Sequence, residues 1–462
     1  MKLIQVVCEA PELAVECRRT DGHIPIIVAP AVSGAVAARP AWFEPTRDAL
    51  HGGGLVGLCL LASPAASELI ELSDIASGSG GRLVVCALQA HTRRCVELEA
   101  ATDLGVVVTE DTEGMLCALI LLSAGFDRPW AASAKGLSLT DRLRMDGVLG
   151  PTAKRTGYLT SGEDGRCEFR AKRSDPPLVQ CGVRGMIDAL QALKNSEAAP
   201  QRVSNTVDDV EDRTVVDVLF GPRRALSDPA SKAALSPYGL PMPIEELCTS
   251  PSRAAAEAAR IGFPVRIALA SPDLRIWDHP ELAIDMLDSA ARVRDAFREL
   301  QALAGPARKQ GDDQRATARI LGATVMATAP AVASFRVFAF PLPSGRVGTE
   351  FSFADAHGMA AGDRTLLFLP GAPAMVERAV RRLLGASLVL DADEPLRTAY
   401  LEALSDVLLR TAAFVNDRRV EIESVELRPV ALLSDGTAEV REACVGVSDA
   451  FERNMDATLL SR

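Results

Sequence analysis

The chain has 462 residues, of which 48% are hydrophobic and 24% charged, as in globular proteins with sizeable cores. At roughly 100–200 residues per domain, this length predicts about two to four domains. The 61 acidic and 50 basic residues give a formal charge of −11, and 4% of residues are aromatic. An acidic chain lacks the broad positive field of nucleic-acid-binding proteins, and few aromatic residues are available for base stacking. We therefore expect no nucleic-acid partner.

The sequence also argues against a membrane protein, a secreted protein and a metal-dependent hydrolase. No apolar run reaches the roughly 18 residues that a membrane-spanning helix needs, and the start MKLIQVVCEAPE predicts a strand rather than a signal peptide. The ten cysteines include no C-x-x-C pair, and the five histidines form no H-E-x-x-H motif. We therefore expect a cytoplasmic protein without a membrane partner, whose cysteines are small buried thiols in a reducing compartment.

In the first half, short runs rich in Val, Ile and Leu alternate with helical stretches. The runs at 24–28, 54–61, 82–88 and 105–108 predict strands. Because these strands are apolar on both faces, they are expected inside a mostly parallel sheet covered by helices. Residues 128–180 are more polar and predict turns and a hairpin, and the unit at 178–194 has the layout of the unit at 105–124.

A polar, acidic stretch at 195–213 predicts the main domain boundary. Beyond it, Ser252–Ile261 predicts a helix and Val265–Ala270 a strand. Helical spacing of apolar residues from Leu396 to Val415 predicts a long helix. The turn Ser434-Asp435-Gly436 predicts a hairpin between two strands near the end of the chain.

Two segments of the second half carry a family resemblance. They are RRALSDPASKAALSPYGLPMPIEELCTSPSRAAAEAARIGFPVRIALASPD at 223–273 and LEALSDVLLRTAAFVNDRRVEIESVELRPVALLSDGTAEVREA at 401–443. The order of a helix, a Y-G-x-P break, a second helix and a strand ending in S-P-D resembles the ATP-grasp part of the NDP-forming acyl-CoA synthetases. This family includes relatives of acetate–CoA ligase and succinyl-CoA synthetase, and it ends the domain with a similar helix, strand and hairpin.

The first half resembles the flavodoxin-like ligase domains that precede ATP-grasp in the fused members. IPIIVAPAVSGAVAARP, LGVVVTEDTEGMLCALILLSA and PLVQCGVRGMIDALQALK are similar to the strand–helix ends of those domains, although no G-x-G-x-x-G loop stands near the start. The resemblance implies an α/β fold class, with flavodoxin-like parallel-sheet domains followed by an ATP-grasp-like α+β domain. The expected boundaries are 1–127 for a shortened flavodoxin-like domain, 128–200 for a second, abbreviated unit, 201–222 for a linker, 223–450 for the ATP-grasp-like domain and 451–462 for a tail.

The family's reaction passes phosphate from ATP to the acid or the CoA intermediate through a phosphohistidine, so the resemblance implies ATP with Mg²⁺, and CoA. Phosphoryl transfer depends on cations, metal and backbone donors around the phosphate oxygens. At the matching positions, Ala268 replaces a lysine, Ala327 a glutamate and Arg428 the asparagine of E-L-D-I-N-P, while the loop at 345–354 lacks the paired glycines. The cofactor is accordingly left open.

Four residues of the matching motifs are candidates for cofactor binding. Arg266 lies two residues before Ala268 on the same strand face, where it could partly substitute for the missing lysine. Ser271 and Asp273 belong to the S-P-D motif, and Glu426 keeps a carboxylate of E-L-D-I-N-P, which also makes it the candidate metal ligand.

His91 is the candidate catalytic residue, because Ala90-His91-Thr92-Arg93-Arg94 follows a predicted strand and is the nearest match to the family's S-H-T-G-A-L-A-G phosphohistidine segment. The alternative interpretation is a surface histidine at the start of a helix.

Two hypotheses from different classes follow. In the first, the chain is a degenerate acyl-CoA synthetase relative that acts as a structural or regulatory subunit of a CoA-linked enzyme complex. In the second, it is an active acid–CoA ligase, or an acyl- or carbamoyl-transferring relative, whose CoA-binding domain comes from a partner subunit. Both imply a protein partner or a homo-oligomer, and CoA or acyl-CoA as a further ligand.

Overall fold

The computed structural model divides the chain into two compact units, Met1–Gln201 and Arg202–Arg462. His91 lies outside the residues that the structure describes, as does the predicted tail at 451–462. The described residues are 4–20, 24–28, 39–62, 64–88, 95–126, 133–135, 158–161, 166–170, 177–196, 213–304, 318–342, 345–354, 363–369 and 373–448.

The first unit begins with alternating strands and helices. They are β1 (Ile4–Cys8), α1 (Pro11–Thr20), β2 (Ile26–Val28), α2 (Phe43–His51), β3 (Leu55–Leu60), α3 (Ala66–Ser79), β4 (Arg82–Ala87), α4 (Val96–Thr102), β5 (Val107–Thr109) and α5 (Thr112–Ser123). In the described part of this unit the five strands form a parallel sheet with the order β2-β1-β3-β4-β5. This is the flavodoxin-like order, so the predicted parallel-sheet domain is confirmed.

Helices cover both faces of this sheet. One core joins apolar residues of α1 and α5 to the sheet, and a second joins those of α2, α3 and α4 to its other face. Cys8, Cys59 and Cys86 occupy paired positions on three neighbouring strands. All ten cysteines lie within the described residues and are free thiols, and eight of them are buried, as the sequence predicts.

The region after α5 differs from a second flavodoxin-like unit at 128–200. It contains β6 (Ser133–Lys135), β7 (Tyr158–Ser161), β8 (Cys167–Arg170), β9 (Val179–Cys181) and α6 (Val183–Ser196). β7, β8 and β9 pair antiparallel, since the short connection between β7 and β8 cannot hold the crossover that a parallel pair requires. Met186 and Leu190 of α6 belong to the same core as α5, so this region extends the first domain.

The second unit contains ten described helices and strands in its first part and eight in its second. The first ten are α7 (Arg213–Leu219), β10 (Arg224–Ala225), α8 (Asp228–Leu235), β11 (Glu245–Cys248), α9 (Pro251–Ile261), β12 (Val265–Ala270), β13 (Ala283–Leu287), α10 (Ala290–Ala304), β14 (Gly322–Ala327) and β15 (Ala331–Pro341). The others are β16 (Val347–Phe353), β17 (Arg364–Leu369), α11 (Pro373–Arg381), α12 (Ser387–Leu390), α13 (Glu394–Asp417), β18 (Ile422–Leu433), β19 (Ala438–Val440) and β20 (Ala443–Val447). Two described 3₁₀ turns, Ser236–Tyr238 and Pro280–Leu282, follow α8 and precede β13.

These strands form two sheets within the described part of the second unit. A four-stranded antiparallel sheet has the order β11-β14-β12-β13, and a seven-stranded sheet has the order β10-β20-β18-β15-β16-β17, with β19 paired to β18. The strand at Val265–Ala270 and the long helix α13 lie where the sequence predicts them, and Gly436 forms the predicted turn with a φ of 93°. The predicted α+β second half is confirmed.

The expected linker at 201–222 is partly helical. Residues 213–219 form α7, whose Val215 and Leu219 are buried in the core beside α8 and α13. Val215, Val218 and Leu219 of the segment RTVVDVLF therefore pack in the core of the second unit, which the composition of the acidic stretch before them does not reveal.

The helices α5 and α6 are held together by reciprocal contacts near their first turns. The Asp188 carboxylate of α6 accepts a hydrogen bond from the backbone N–H of Glu110 at 2.8 Å, and the Glu113 carboxylate of α5 accepts one from Gly182 at 2.8 Å. A Cβ on Gly114 would lie 2.1 Å from Asp188 Oδ2, so the close approach requires glycine.

We expect Gly114→Ala to destabilise the first unit by about 1–3 kcal/mol, because the added methyl displaces the half-buried, hydrogen-bonded carboxylate of Asp188. Urea unfolding combined with hydrogen exchange of α5 and α6 peptides measures the loss. Gly78→Ala is the matched control, since a Cβ there meets no atom within 4 Å and should be neutral or slightly stabilising. Equal stability of the two variants would contradict the close-packed interface.

Stability should also depend on the protonation of Asp188. Burial, with a contribution from Asp111, raises the pKa of Asp188 from 3.8 to about 7. Between these values the folded state keeps a proton that the unfolded state has lost, so the free energy of unfolding should fall as pH rises through this window. Asp188→Asn should flatten this slope in urea titrations. The exposed carboxylate variant Asp48→Asn should keep it, and an unchanged slope in Asp188→Asn would refute the assignment.

Candidate functional site

A cleft of about 730 Å³ lies within the second unit, between the four-stranded sheet and the seven-stranded sheet. Its charged lining residues are Arg266 on β12, Asp285 on β13, Arg428 on β18, and Arg441 and Glu442 between β19 and β20. The side chains of Trp277, Met286 and Pro330 add an apolar part of the wall. The cleft therefore brings three cations and two carboxylates into one concave site.

Arg266 and Glu442 form a buried ion pair across this cleft. Arg266 Nη2 donates a hydrogen bond to Glu442 Oε1 at 2.5 Å, and Arg266 Nε lies 3.4 Å from Asp285 Oδ1. The side chains of Arg266 and Glu442 are 11% and 6% exposed. Because β12 belongs to one sheet and Glu442 adjoins two strands of the other, the pair joins the two sheets.

Glu442 is held in an environment that resists ionisation. Burial raises the pKa of Glu442 to about 7, against the opposing effect of Arg266. Asp228 raises this pKa further and Lys232 lowers it. The carboxyl of Glu442 therefore ionises as pH rises through about 7, and the charged pair is lost as pH falls through the same range.

A second buried cation, Lys232 on α8, joins the same elements. Its Nζ donates hydrogen bonds to Glu245 Oε2 on β11 at 2.5 Å and to the Arg441 carbonyl at 2.7 Å. Asp228 lies 3.0 Å away. Burial disfavours the ammonium, yet Asp228 and Glu245 outweigh it and raise the pKa of Lys232. Lys232 thus stays charged and ties α8, the four-stranded sheet and the β19–β20 connection together.

Arg441 and Arg428 complete the cation set. Arg441 Nη2 donates to the carbonyl of Ala329, in the connection between β14 and β15 that links the sheets. Arg428 lines the cleft, and no described side chain or carbonyl accepts a hydrogen bond from its guanidinium. Among the cations that line the cleft, Arg428 is the one whose charge no described residue balances.

The candidates Ser271 and Asp273 stabilise the loop after β12. Ser271 Oγ accepts hydrogen bonds from the backbone N–H groups of Asp273 at 3.0 Å and Leu274 at 3.2 Å. Asp273 accepts three from Arg319, including Nη2 at 2.8 Å, and this side chain lowers the pKa of Asp273 to about 2. Neither residue is among those that line the cleft.

The candidate metal ligand Glu426 is bound to an arginine. Arg336 Nε donates a hydrogen bond to Glu426 Oε1 at 2.6 Å, and Arg336 Nη1 lies 3.5 Å from Glu350. Within the described ranges, no group of three or more His, Cys, Asp or Glu side chains has an arrangement that could hold a metal ion.

Of the sequence-predicted residues, the structure thus places Arg266 in the cleft together with Arg428, while Ser271, Asp273 and Glu426 have partners elsewhere. Ala268 is buried on β12 opposite Thr324. The sequence analysis did not identify Glu442, Lys232 and Glu245. In the sequence, these charged residues cannot be distinguished from ordinary exposed ones.

None of the described helices combines the length and hydropathy that crossing a bilayer demands.

Comparison with known proteins supports the same architecture. Residues 217–446 match the family model of an ATP-grasp domain. The beta subunit of acetate–CoA ligase (ADP-forming) II from Pyrococcus furiosus is 24% identical over 236 residues, which cover 49% of this chain and 93% of that protein.

Two solved structures are also similar over this half. The crystal structure of PH1788 from Pyrococcus horikoshii is 22% identical and has a TM-score of 0.45, covering 51% of this chain and 97% of that one. The dinucleotide-forming acetyl-coenzyme A synthetase 1 of Ca. Korarchaeum cryptofilum, in complex with coenzyme A and Ca-AMPCP, is 21% identical with a TM-score of 0.42, covering 48% and 93%.

Two sheets with a cleft between them and a match at 217–446 define an ATP-grasp domain. The same half of the chain is similar to the beta subunit of an ADP-forming acetate–CoA ligase. The family resemblance of the sequence is thereby confirmed.

The buried pair in the cleft generates a stability prediction. We expect Arg266→Met to cost about 3 kcal/mol or more, because it leaves Glu442 buried and unpaired, whereas Arg266→Met/Glu442→Leu should recover most of that loss. Urea unfolding followed by hydrogen exchange of β12 peptides gives both values. Asp285→Asn is the control, since its exposed carboxylate should contribute little. A double variant as unstable as the single one would rule out the unpaired charge as the cause.

Proposed function

We propose that this chain is a non-catalytic member of the ADP-forming acyl-CoA synthetase family that serves as a structural or regulatory subunit of a CoA-linked enzyme complex. The observation that carries the proposal is the buried pair of Arg266 and Glu442, which uses the cleft's central cation to join two sheets. The name of the Pyrococcus furiosus relative, a ligase subunit beta, supports a protein partner.

The cleft residues are poorly suited to bind a triphosphate in the way that the family does. Ala268 stands where the resemblance places the phosphate-binding lysine, and a methyl group offers no charge. Arg266 on the same strand is already paired with Glu442 and lies near Asp285. A phosphate would have to compete with a buried carboxylate for this guanidinium.

The residues fit Mg²⁺ equally poorly. Mg²⁺ requires oxygen ligands, mostly carboxylates and water, in a near-octahedral arrangement. Glu426, the carboxylate that remains of the family motif, is bound to Arg336, and Arg428 follows two residues later. A guanidinium beside a metal position repels the cation. We therefore derive no phosphoryl-transfer step at this cleft.

What the charged residues do instead is structural. Arg266–Glu442 and Lys232–Glu245 each join the four-stranded sheet to elements packed on the seven-stranded sheet. Such a clamp favours one relative position of the sheets, which suits a subunit that presents a fixed surface to a partner. We also propose a cytoplasmic location, because all ten thiols are free and eight are buried.

Calorimetry and product assays test this function. With MgATP, the purified chain should give no measurable heat at micromolar to low millimolar nucleotide, and with acetate or other short acids plus CoA it should release no ADP or AMP. The complete acetate–CoA ligase of Pyrococcus furiosus is the positive control. Acid-dependent ADP release by this chain, alone or with a copurifying subunit, would establish the active-ligase alternative in place of the proposal.

A further inference from the structure

A cavity of about 440 Å³ lies within the first unit, at the edge of the parallel sheet where the strands begin. Leu55 and Arg82 are the first residues of β3 and β4, Val106 directly precedes β5, and all three line the cavity. Open parallel sheets usually bind ligands at the other edge, beyond the carboxyl ends of the strands. The cavity shares no residue with the cleft of the second unit.

The carboxyl ends of three helices meet at this cavity. The lining residues at these ends are Ser77 and Gly80 for α3, Leu104 and Gly105 for α4, and Leu122 and Gly125 for α5. The last carbonyls of a helix lack partners within the helix, and together they carry a partial negative charge. The rim of the cavity therefore favours a bound cation, such as an ammonium group.

Arg82 gives the same cavity a positive charge that the protein does not neutralise. Its Nε is buried without a hydrogen bond, and no carboxylate or carbonyl of the described residues pairs with its guanidinium. A guanidinium that capped the neighbouring helix ends would be hydrogen-bonded to their carbonyls. Because buried polar groups are normally paired, the unpaired Nε indicates an acceptor supplied by a ligand. A carboxylate suits this position, since arginine binds its two oxygens in a bidentate manner.

The size of the cavity and the rest of its wall restrict the ligand further. A volume of about 440 Å³ is at the small end of the range for ligand sites, which suits a molecule smaller than a nucleotide or a coenzyme. Leu83, Val106 and Leu122 supply an apolar part of the wall. A small molecule with a carboxylate, an ammonium and an aliphatic group matches all three parts of the lining.

We propose that this cavity binds a free α-amino acid with an aliphatic side chain. The carboxylate of the ligand pairs with Arg82, its ammonium donates hydrogen bonds to carbonyls at the helix ends, and its side chain contacts the apolar wall. This inference goes beyond the proposed function and is independent of it, because it concerns the first unit alone. It requires neither an active nor an inactive cleft in the second unit.

L-Leucine is the first probe, added to the full chain and followed by calorimetry and by hydrogen exchange of peptides from α3 and β4. We expect saturable binding at up to low millimolar leucine, with slower exchange in those peptides. Isocaproate lacks the ammonium and isoamylamine lacks the carboxylate, so each should bind at least about tenfold more weakly. No heat with leucine, or an analogue that binds as tightly as leucine, would overturn the inference.

Arg82→Gln should weaken leucine binding by about tenfold, because it removes the charge that faces the carboxylate. Its melting temperature without leucine should stay close to that of the parent chain, since no described residue pairs with the guanidinium. Arg184→Gln is the matched control. Arg184 lies on α6 with 82% of its side chain exposed, and this variant should bind leucine like the parent chain.

Ser77→Lys is a second variant, which keeps the test decisive if Arg82→Gln does not fold. Ser77 is exposed near the carboxyl end of α3, where a lysine is favourable for the helix and places its own ammonium at the rim. We expect an unchanged or higher melting temperature together with weaker leucine binding. Unchanged leucine binding in either folded variant would contradict the inference. ADP release in the assay above would refute the proposed function alone and leave this inference intact.

Discussion

The ion pair between Arg266 and Glu442 crosses from one sheet of the ATP-grasp domain to the other and lies almost out of contact with water. Removing two such charges from water costs several kcal/mol, and their attraction compensates for this only when geometry and further hydrogen bonds are good. The pair obtains part of that support from its neighbours. Asp285 lies beside the guanidinium, and the Glu442 carbonyl accepts from the Arg428 N–H at 3.0 Å.

Lys232 extends this arrangement into a network that is anchored on backbone as well as side chains. It donates to the Arg441 carbonyl, while Asp228 Oδ1 accepts from the Ala443 N–H at 2.7 Å. The connection between β19 and β20 is therefore fixed from both sides by α8. Since Arg441 also binds the carbonyl of Ala329, the same connection holds the segment that links the two sheets. A substitution of any of these residues would therefore alter the cleft by displacing the residues that it contacts.

Much of the fold could be predicted, because buried positions of strands and helices appear in the sequence as regular patterns of apolar residues. The strand at Val265–Ala270 is an apolar run between a glycine-terminated helix and a serine turn, and the structure places it at the predicted residues. Two elements show the limit. Val215 and Leu219 pack against the second core although the residues before them are acidic. β7 and β8 pair antiparallel, as in the hairpin that this polar region predicts, whereas the family resemblance implied a second flavodoxin-like unit at 128–200.

The site was less predictable, because a charged residue carries no mark in the sequence that tells whether it is exposed or paired. Arg266 could be assigned to the cleft from its strand position, but its partner comes from a connection 176 residues later. Ser271 and Asp273 match the family motif, yet they stabilise a turn and an ion pair with Arg319.

Scaffold and chemistry are separable in this domain. The apolar pattern that builds both sheets tolerates many charge sets at their facing edges, because those edges border solvent and a cleft rather than the cores. Arginine at position 428 is compatible with the strand, since its side chain extends into the cleft, whereas it is incompatible with a neighbouring divalent ion. Under the proposed function, the signs of a few side chains at these edges determine that this cleft holds protein ion pairs, while the apolar residues of both sheets determine the fold.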